Sequence, residues 1–287
     1  MQFSASRALS DAFGTFMRKF GPMAAVTITY IVSAIAVFAV FGGSLMAMFA
    51  SRLGPQAFSG TDGGNAAAAM GAGMIGSIFL LYLVFYALQF AHQAALCRLC
   101  SSDHDASIGE AIGTGVRSVP TLLGVAVLMI IGMFGVMIAL SIVMGIIAIA
   151  GQSAAISFIG GLAMLVGFIW LAARLCPILP VVANEGVRNP ITAIGRAWRM
   201  TSGNAATLAL LFLAVFFGMG IIIAIAFFAT IGIPQPGNIP GMGSMFAFGI
   251  LMLVLSLSIG LYFVALVAAI HSQLSSTSAE AISDTFA

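Results

Sequence analysis

Six stretches of this chain are each long and apolar enough to cross a lipid bilayer. They run at approximately 22–49, 71–99, 119–150, 154–182, 205–232 and 243–271. A hydrocarbon core about 30 Å thick takes roughly 20 residues of helix. Inside it the backbone must satisfy its own hydrogen bonds, which favours helices here. Only 6% of residues are charged and 61% are hydrophobic, with mean hydropathy +1.16. A water-soluble domain carries roughly 25% charged residues. The expected fold is therefore an all-α integral membrane protein with six transmembrane helices. A net charge of +2, with no Lys/Arg run interleaved with aromatics, argues against nucleic-acid binding. Cys97, Cys100 and Cys176 are an odd set and give no disulfide framework. The first apolar run exceeds the roughly 7–15 residues of a signal-peptide core, so it reads as retained.

The cations orient these spans. Arg7, Arg18 and Lys19 precede the first span, and Arg98 and Arg117 lie between the second and third. Arg174, Arg188, Arg196 and Arg199 surround the connection between the fourth and fifth. Nine of the 10 Lys and Arg thus fall on one side, and Arg52 on the other. A Lys/Arg excess marks the cytoplasmic side. The expectation is a multi-pass protein of a bacterial inner membrane with both termini cytoplasmic.

A repeat emerges from the short polar stretches. "AFGTFMR" at Ala12–Arg18, "AIGTGVR" at Ala111–Arg117 and "AIGRAWR" at Ala193–Arg199 all fit Ala-[Ile/Phe]-Gly-x-x-x-Arg. Each precedes an odd-numbered span. A truncated copy, "EAISDTF", occupies Glu280–Phe286. The register predicts three tandem units at approximately 1–104, 105–185 and 186–272, in a single membrane domain over 1–287. Residues 273–287 form a cytoplasmic tail. Each unit reads as a short interfacial amphipathic helix followed by a helical hairpin. An even number of spans per unit predicts a pseudo-threefold axis along the membrane normal. Asn189 and Pro190 suit the cap and first turn of the third short helix. The motif glycine, costly in a helix, is expected to let a neighbouring span approach.

Residues 177–204, "PILPVVANEGVRNPITAIGRAWRMTSGN", resemble a membrane domain found in some glycerophosphoryl diester phosphodiesterases and in related stand-alone bacterial membrane proteins. The resemblance rests on the prolines, then Glu185, Ala193, Arg196, Trp198 and Gly203-Asn204, and extends over the six-span layout. Ala197 departs from it, since the family often carries Ser there. No segment here matches the soluble catalytic barrel of the phosphodiesterase. The resemblance implies a membrane architecture more than an activity.

Arg18, Arg117, Arg196 and Arg199, with Trp198, are the candidates for binding lipid head groups. Guanidinium groups take phosphate bidentately, and Trp favours the membrane edge. The bland alternative is interfacial anchoring by snorkelled side chains. Glu185 is expected in a structural ion pair, with Arg188 taken as its partner and Arg196 and Arg199 as alternatives. Counting 19 residues back from the motif alanines gives His92, Arg174 and Tyr262. With Gln89 these predict a polar cavity near the axis, because polar side chains within spans face a bundle interior. His92, Cys97, Cys100 and His104 have a metal-like spacing. They occupy one continuous segment, where a closed tetrahedron is difficult, so no metal is expected. No nucleotide-binding loop or catalytic motif is present, and no cofactor is expected. The sequence favours a non-enzymatic protein that binds or organises membrane phospholipid at the cytoplasmic leaflet. The alternative is a transporter or channel for a small amphiphilic or anionic substrate. A homo-oligomer or a membrane-protein partner stays open. The topology is checked with reporter fusions. A fluorescent-protein fusion after Ala287 should be bright, and alkaline phosphatase inserted between the first two spans should be active. The reverse pattern would invert the orientation.

Overall fold

A computed structural model of the chain describes residues 3–44, 72–101, 106–150, 154–232 and 241–286. These residues are helical with short connections and contain no strand. Helix α1 (Ala5–Val37) runs into a π-helical turn at Phe38–Gly42, followed by α2 (Ala72–Cys100) and α3 (Ile108–Ala150). Then come α4 (Ala154–Leu175), α5 (Ile178–Ala183), α6 (Pro190–Met200), α7 (Ala205–Ile231) and α8 (Met242–Phe286). Six segments have the length and composition to cross a membrane: Ala5–Gly42, Gly76–Cys100, Ile108–Ile142, Gly160–Ala183, Ala205–Ile231 and Met242–Ser276. Arg52, His104 and most of the connection "GIPQPGNIPGMG" lie outside the described residues.

The short amphipathic segments differ from one another. The first two motif copies sit inside long helices that continue directly into a span, α1 and α3. Only the third is a helix of its own, α6. The cause lies after the motif arginine. In α1 and α3 the helix continues through Pro22 and Pro120. In the third copy it stops at Thr201–Asn204, where Gly203 takes φ +86°. That left-handed conformation suits glycine. Asn189 caps α6 as its sequence suggests, its side chain accepting from Ile191 N at 2.9 Å, with Pro190 in the first turn. Helix α4 ends at Leu175, and Pro177 is the N-cap of the short α5.

Packing is densest at the charged end. The buried core includes Met23 and Val26 of α1, Ala94–Cys97 of α2, and Ala111 and Leu122 of α3. It continues through Val181 of α5, Ala193 and Ala197 of α6, Leu208 of α7, and Leu266 and Ile270 of α8. Beyond this level the helices present large apolar side chains outward, such as Phe38, Phe79, Ile131, Phe216 and Phe246. A groove of about 540 Å³ separates α3 from α4, with Met129, Val136, Met164 and Gly167 on its walls. The principal helix pairs are α2–α3, α1–α8, α1–α2, α4–α7, α7–α8 and α2–α8.

The motif residues share an environment, with one departure from expectation. Ala12, Ala111 and Ala193 are all completely buried. Gly14, Gly113 and Gly195 are not sites of close approach: a Cβ on any of them would meet no atom within 4 Å. Close approach occurs elsewhere. A Cβ on Gly115 would lie 2.3 Å from the Ala91 carbonyl oxygen, and one on Gly124 would lie 2.5 Å from Pro190 Cγ. Gly115→Ala should therefore destabilise by about 1–3 kcal/mol through overpacking against backbone. Gly113→Ala, two residues away, should be neutral or stabilising by up to about 1 kcal/mol through helix propensity. Thermal unfolding in detergent reads both, and equal effects would contradict the assignment of the helix crossing.

Candidate functional site

The charged end of the bundle is built from cations that meet backbone carbonyls and carboxylates. Lys19 of α1 donates to the Leu99 carbonyl at 2.9 Å and the Ser101 carbonyl at 3.4 Å. Arg98 pairs with Glu110 at 2.8 Å, joining the end of α2 to the start of α3. Arg188 donates to the Arg117 carbonyl, and Thr121 returns a bond to the Arg188 carbonyl at 2.9 Å. The carbonyl it meets is next to that of Val116, whose helical donor Pro120 removes.

Glu185 holds the other carboxylate network. One oxygen takes Arg196 Nε, and the other lies 3.0 Å from His271 Nε2 of α8. The ion pair is thus made with Arg196 and not with Arg188, whose guanidinium is drawn to the α3 backbone. His271 is 8% exposed. The contact ties the loop after α5, helix α6 and the last span together. Sequence reading gives no partner for His271, since nothing in a lone span histidine names a carboxylate 86 residues away.

Arg174 and Trp198 form a second assembly. The Arg174 guanidinium lies 4.7 Å from the Trp198 ring centroid and 5.2 Å from that of Trp170. The two indoles meet edge to face at 5.4 Å. Arg174 Nη1 also donates to the Trp198 carbonyl at 3.1 Å. Cation–π attraction of this kind strengthens with desolvation. The Thr201 hydroxyl, fully buried, lies 3.0, 3.1 and 3.2 Å from the carbonyl oxygens of Ala197, Trp198 and Arg174. Its single proton serves one at a time. Trp170 is one turn before Arg174, a spacing visible in the sequence once the pairing is known.

The polar side chains expected in one cavity separate into different places. Gln89 and His92 line a cavity with Thr27, Tyr30 and Gln93. Arg174 is held away by its tryptophans. Tyr262 lies against Phe16, ring centroids 6.2 Å apart. A common register in sequence does not place these side chains together, because Arg174 packs on the two indoles and Tyr262 on Phe16.

The motif arginines Arg18, Arg117 and Arg199 are all exposed. None of their side chains has a hydrogen bond or ion pair among the described residues. Arg18 lines a cleft of about 580 Å³ of mixed character, with Ser10, Asp11, Phe13, Met17 and Ser272. Cys97 and Cys100 are buried, and Cys100 Sγ lies 3.8 Å from Met23 Sδ. Among the described residues no group of three or more His, Cys, Asp and Glu side chains is placed to hold a metal ion.

Comparison with protein-family models, curated proteins and solved structures finds no match.

The Glu185 network makes a quantitative prediction. A double-mutant cycle between Glu185→Ala and Arg196→Ala should give a coupling of about 1 kcal/mol or less, since Arg196 is half exposed. A cycle between Glu185→Ala and Arg188→Ala should give none within error. Coupling to Arg188 instead of Arg196 would contradict the observed pairing.

Proposed function

We propose that this chain is a non-enzymatic membrane protein that binds or organises glycerophospholipid at the cytoplasmic leaflet. One observation carries the reading. In all three motif copies the alanine is completely buried while the arginine is exposed and has no side-chain partner among the described residues. The buried alanine fixes the helix face, and the guanidinium is turned outward at the charged end. In a bilayer that level meets phosphate groups, which guanidinium takes bidentately. Arg196, one of the head-group candidates, is committed to Glu185, and Trp198 is engaged by Arg174. The proposed ligands are therefore Arg18, Arg117 and Arg199.

The tandem-repeat reading is part of the proposal. Helix α1 packs on α8, α3 on α2, and α6 on α5 and α4. Each helix that carries a motif copy thus packs on an even-numbered span, the first on the last, and α6 packs on α3 as well. This cyclic pattern supports three units around an axis normal to the membrane. The resemblance to the membrane domain of the phosphodiesterase family fits such an architecture.

Native mass spectrometry of protein released from membranes tests the reading. The wild-type chain should retain anionic phospholipid. Replacing Arg18, Arg117 and Arg199 together with Gln removes about 1 kcal/mol of surface attraction each. Affinity should then fall on the order of a hundredfold. An unchanged lipid profile in the triple variant would overturn the reading.

A further inference from the structure

Helices α1, α2 and α8 line a half-open cavity of about 290 Å³ within the spans. His92 is two turns from the end of α2 at Cys100, which puts the cavity about 12 Å below the charged end. No charged side chain lines it. Its polar lining has unused hydrogen-bonding capacity. The Tyr30 ring lines the cavity, while its hydroxyl turns away to Gly115 of α3, where a Cβ would lie 3.1 Å from it. The Thr27 hydroxyl donates to the Met23 carbonyl at 2.9 Å, so its oxygen accepts Nε2–H of His92 at 3.0 Å. A neutral His92 then presents Nδ1 as an acceptor, without a partner among the described residues. The carboxamides of Gln89 and Gln93 are equally without partners among the described residues. Such groups are costly to leave unmatched in hydrocarbon.

A second space adjoins the first. A groove of about 570 Å³ runs between α4, α7 and α8, walled by apolar side chains such as Phe212, Met219 and Phe263. Gln93, Ser256 and Gly260 line both spaces. A Cβ built on Gly260 would meet no atom within 4 Å, so no neighbouring side chain fills the space over it.

We infer that the two spaces together bind one neutral lipid alcohol, its hydroxyl head in the polar cavity and its apolar tail in the groove. A hydroxyl both donates and accepts, which matches an acceptor at His92 Nδ1 and the carboxamide donors of Gln89 and Gln93. A phosphate or carboxylate head finds no cation in this cavity, and burying its charge there is unfavourable. A purely apolar head leaves the polar lining unmatched. Diacylglycerol and a long-chain polyprenol share the required chemistry. The site is separate from the head-group arginines and stands independently of them.

The experiment uses the full chain in phosphatidylcholine nanodiscs. One arm contains dioleoylglycerol and the other a polyprenol, with bound lipid read by native mass spectrometry. A single adduct is expected, and the arm in which it forms identifies the source; adducts in both arms support the class as a whole. Gln93→Leu removes a carboxamide that lines both spaces and has no partner among the described residues. It should lower occupancy about fivefold, the scale of one hydrogen bond, without lowering the thermal midpoint of lipid-free protein. Gly260→Leu places a side chain at the junction of the two spaces and should abolish the adduct, with the helix favoured by leucine's propensity. Absence of an adduct with either lipid on the wild-type chain would overturn the inference, as would equal adducts in the wild type and Gln93→Leu. The second comparison decides the matter even where Gly260→Leu fails to fold. Replacing Arg18, Arg117 and Arg199 should leave these adducts unchanged.

Discussion

A helix that ends near hydrocarbon leaves its last four carbonyls without helical donors. This constraint organises the charged end of the molecule. Lys19 meets the Leu99 carbonyl in the last turn of α2, and Arg174 meets the Trp198 carbonyl in the last turn of α6. The Thr201 hydroxyl reaches carbonyls in the last turns of both α4 and α6. A cation is favourable at such an end, where the helix dipole is negative. Each of these contacts also links two separate elements. The same bonds that satisfy the backbone therefore set which helices are neighbours.

This division of labour explains why so few charges suffice. Lys19, Arg174 and Arg188 serve carbonyls, while Arg98 and Arg196 serve Glu110 and Glu185. Arg18, Arg117 and Arg199 turn outward, as does Arg7 in the first turn of α1. The core sits beside the structural cations, where Leu96, Val181, Leu208, Leu266 and Ile270 pack most tightly. Farther along the spans the helices diverge around apolar grooves. In lipid such openings carry little penalty, because acyl chains replace side-chain contacts without exposing apolar surface to water.

Much of the architecture was legible in composition and length. Six apolar runs correspond to six helices long and apolar enough to span a bilayer, since backbone polar groups in hydrocarbon favour helix. Asn189 and Pro190 marked the start of α6 by local chemistry alone. Reading the three short segments as equivalent helices missed that Pro22 and Pro120 are tolerated in continuous helices while Gly203 ends one. Expecting close packing at Gly14, Gly113 and Gly195 failed because crossings depend on which helix face meets a neighbour. That face carries Ala12, Ala111 and Ala193, and in α3 it also carries Gly115. The partners of Glu185 and Arg174 were hidden for a similar reason. Sequence distance favours Arg188, yet the fold brings Arg196 and His271 to the carboxylate and two indoles to the guanidinium.

The arginines divide into those that hold the protein together and those that turn outward at the charged end, the proposed phosphate ligands. Rotational-echo double-resonance NMR between guanidinium ¹³C and lipid ³¹P in bilayers tests this division residue by residue. Bidentate contact places the two nuclei about 4 Å apart, given N–O distances of about 2.8 Å. Strong dephasing is predicted at Arg18, Arg117 and Arg199, and none at Arg174 between its two tryptophans. Dephasing at Arg174 with silence at the other three would contradict the central claim.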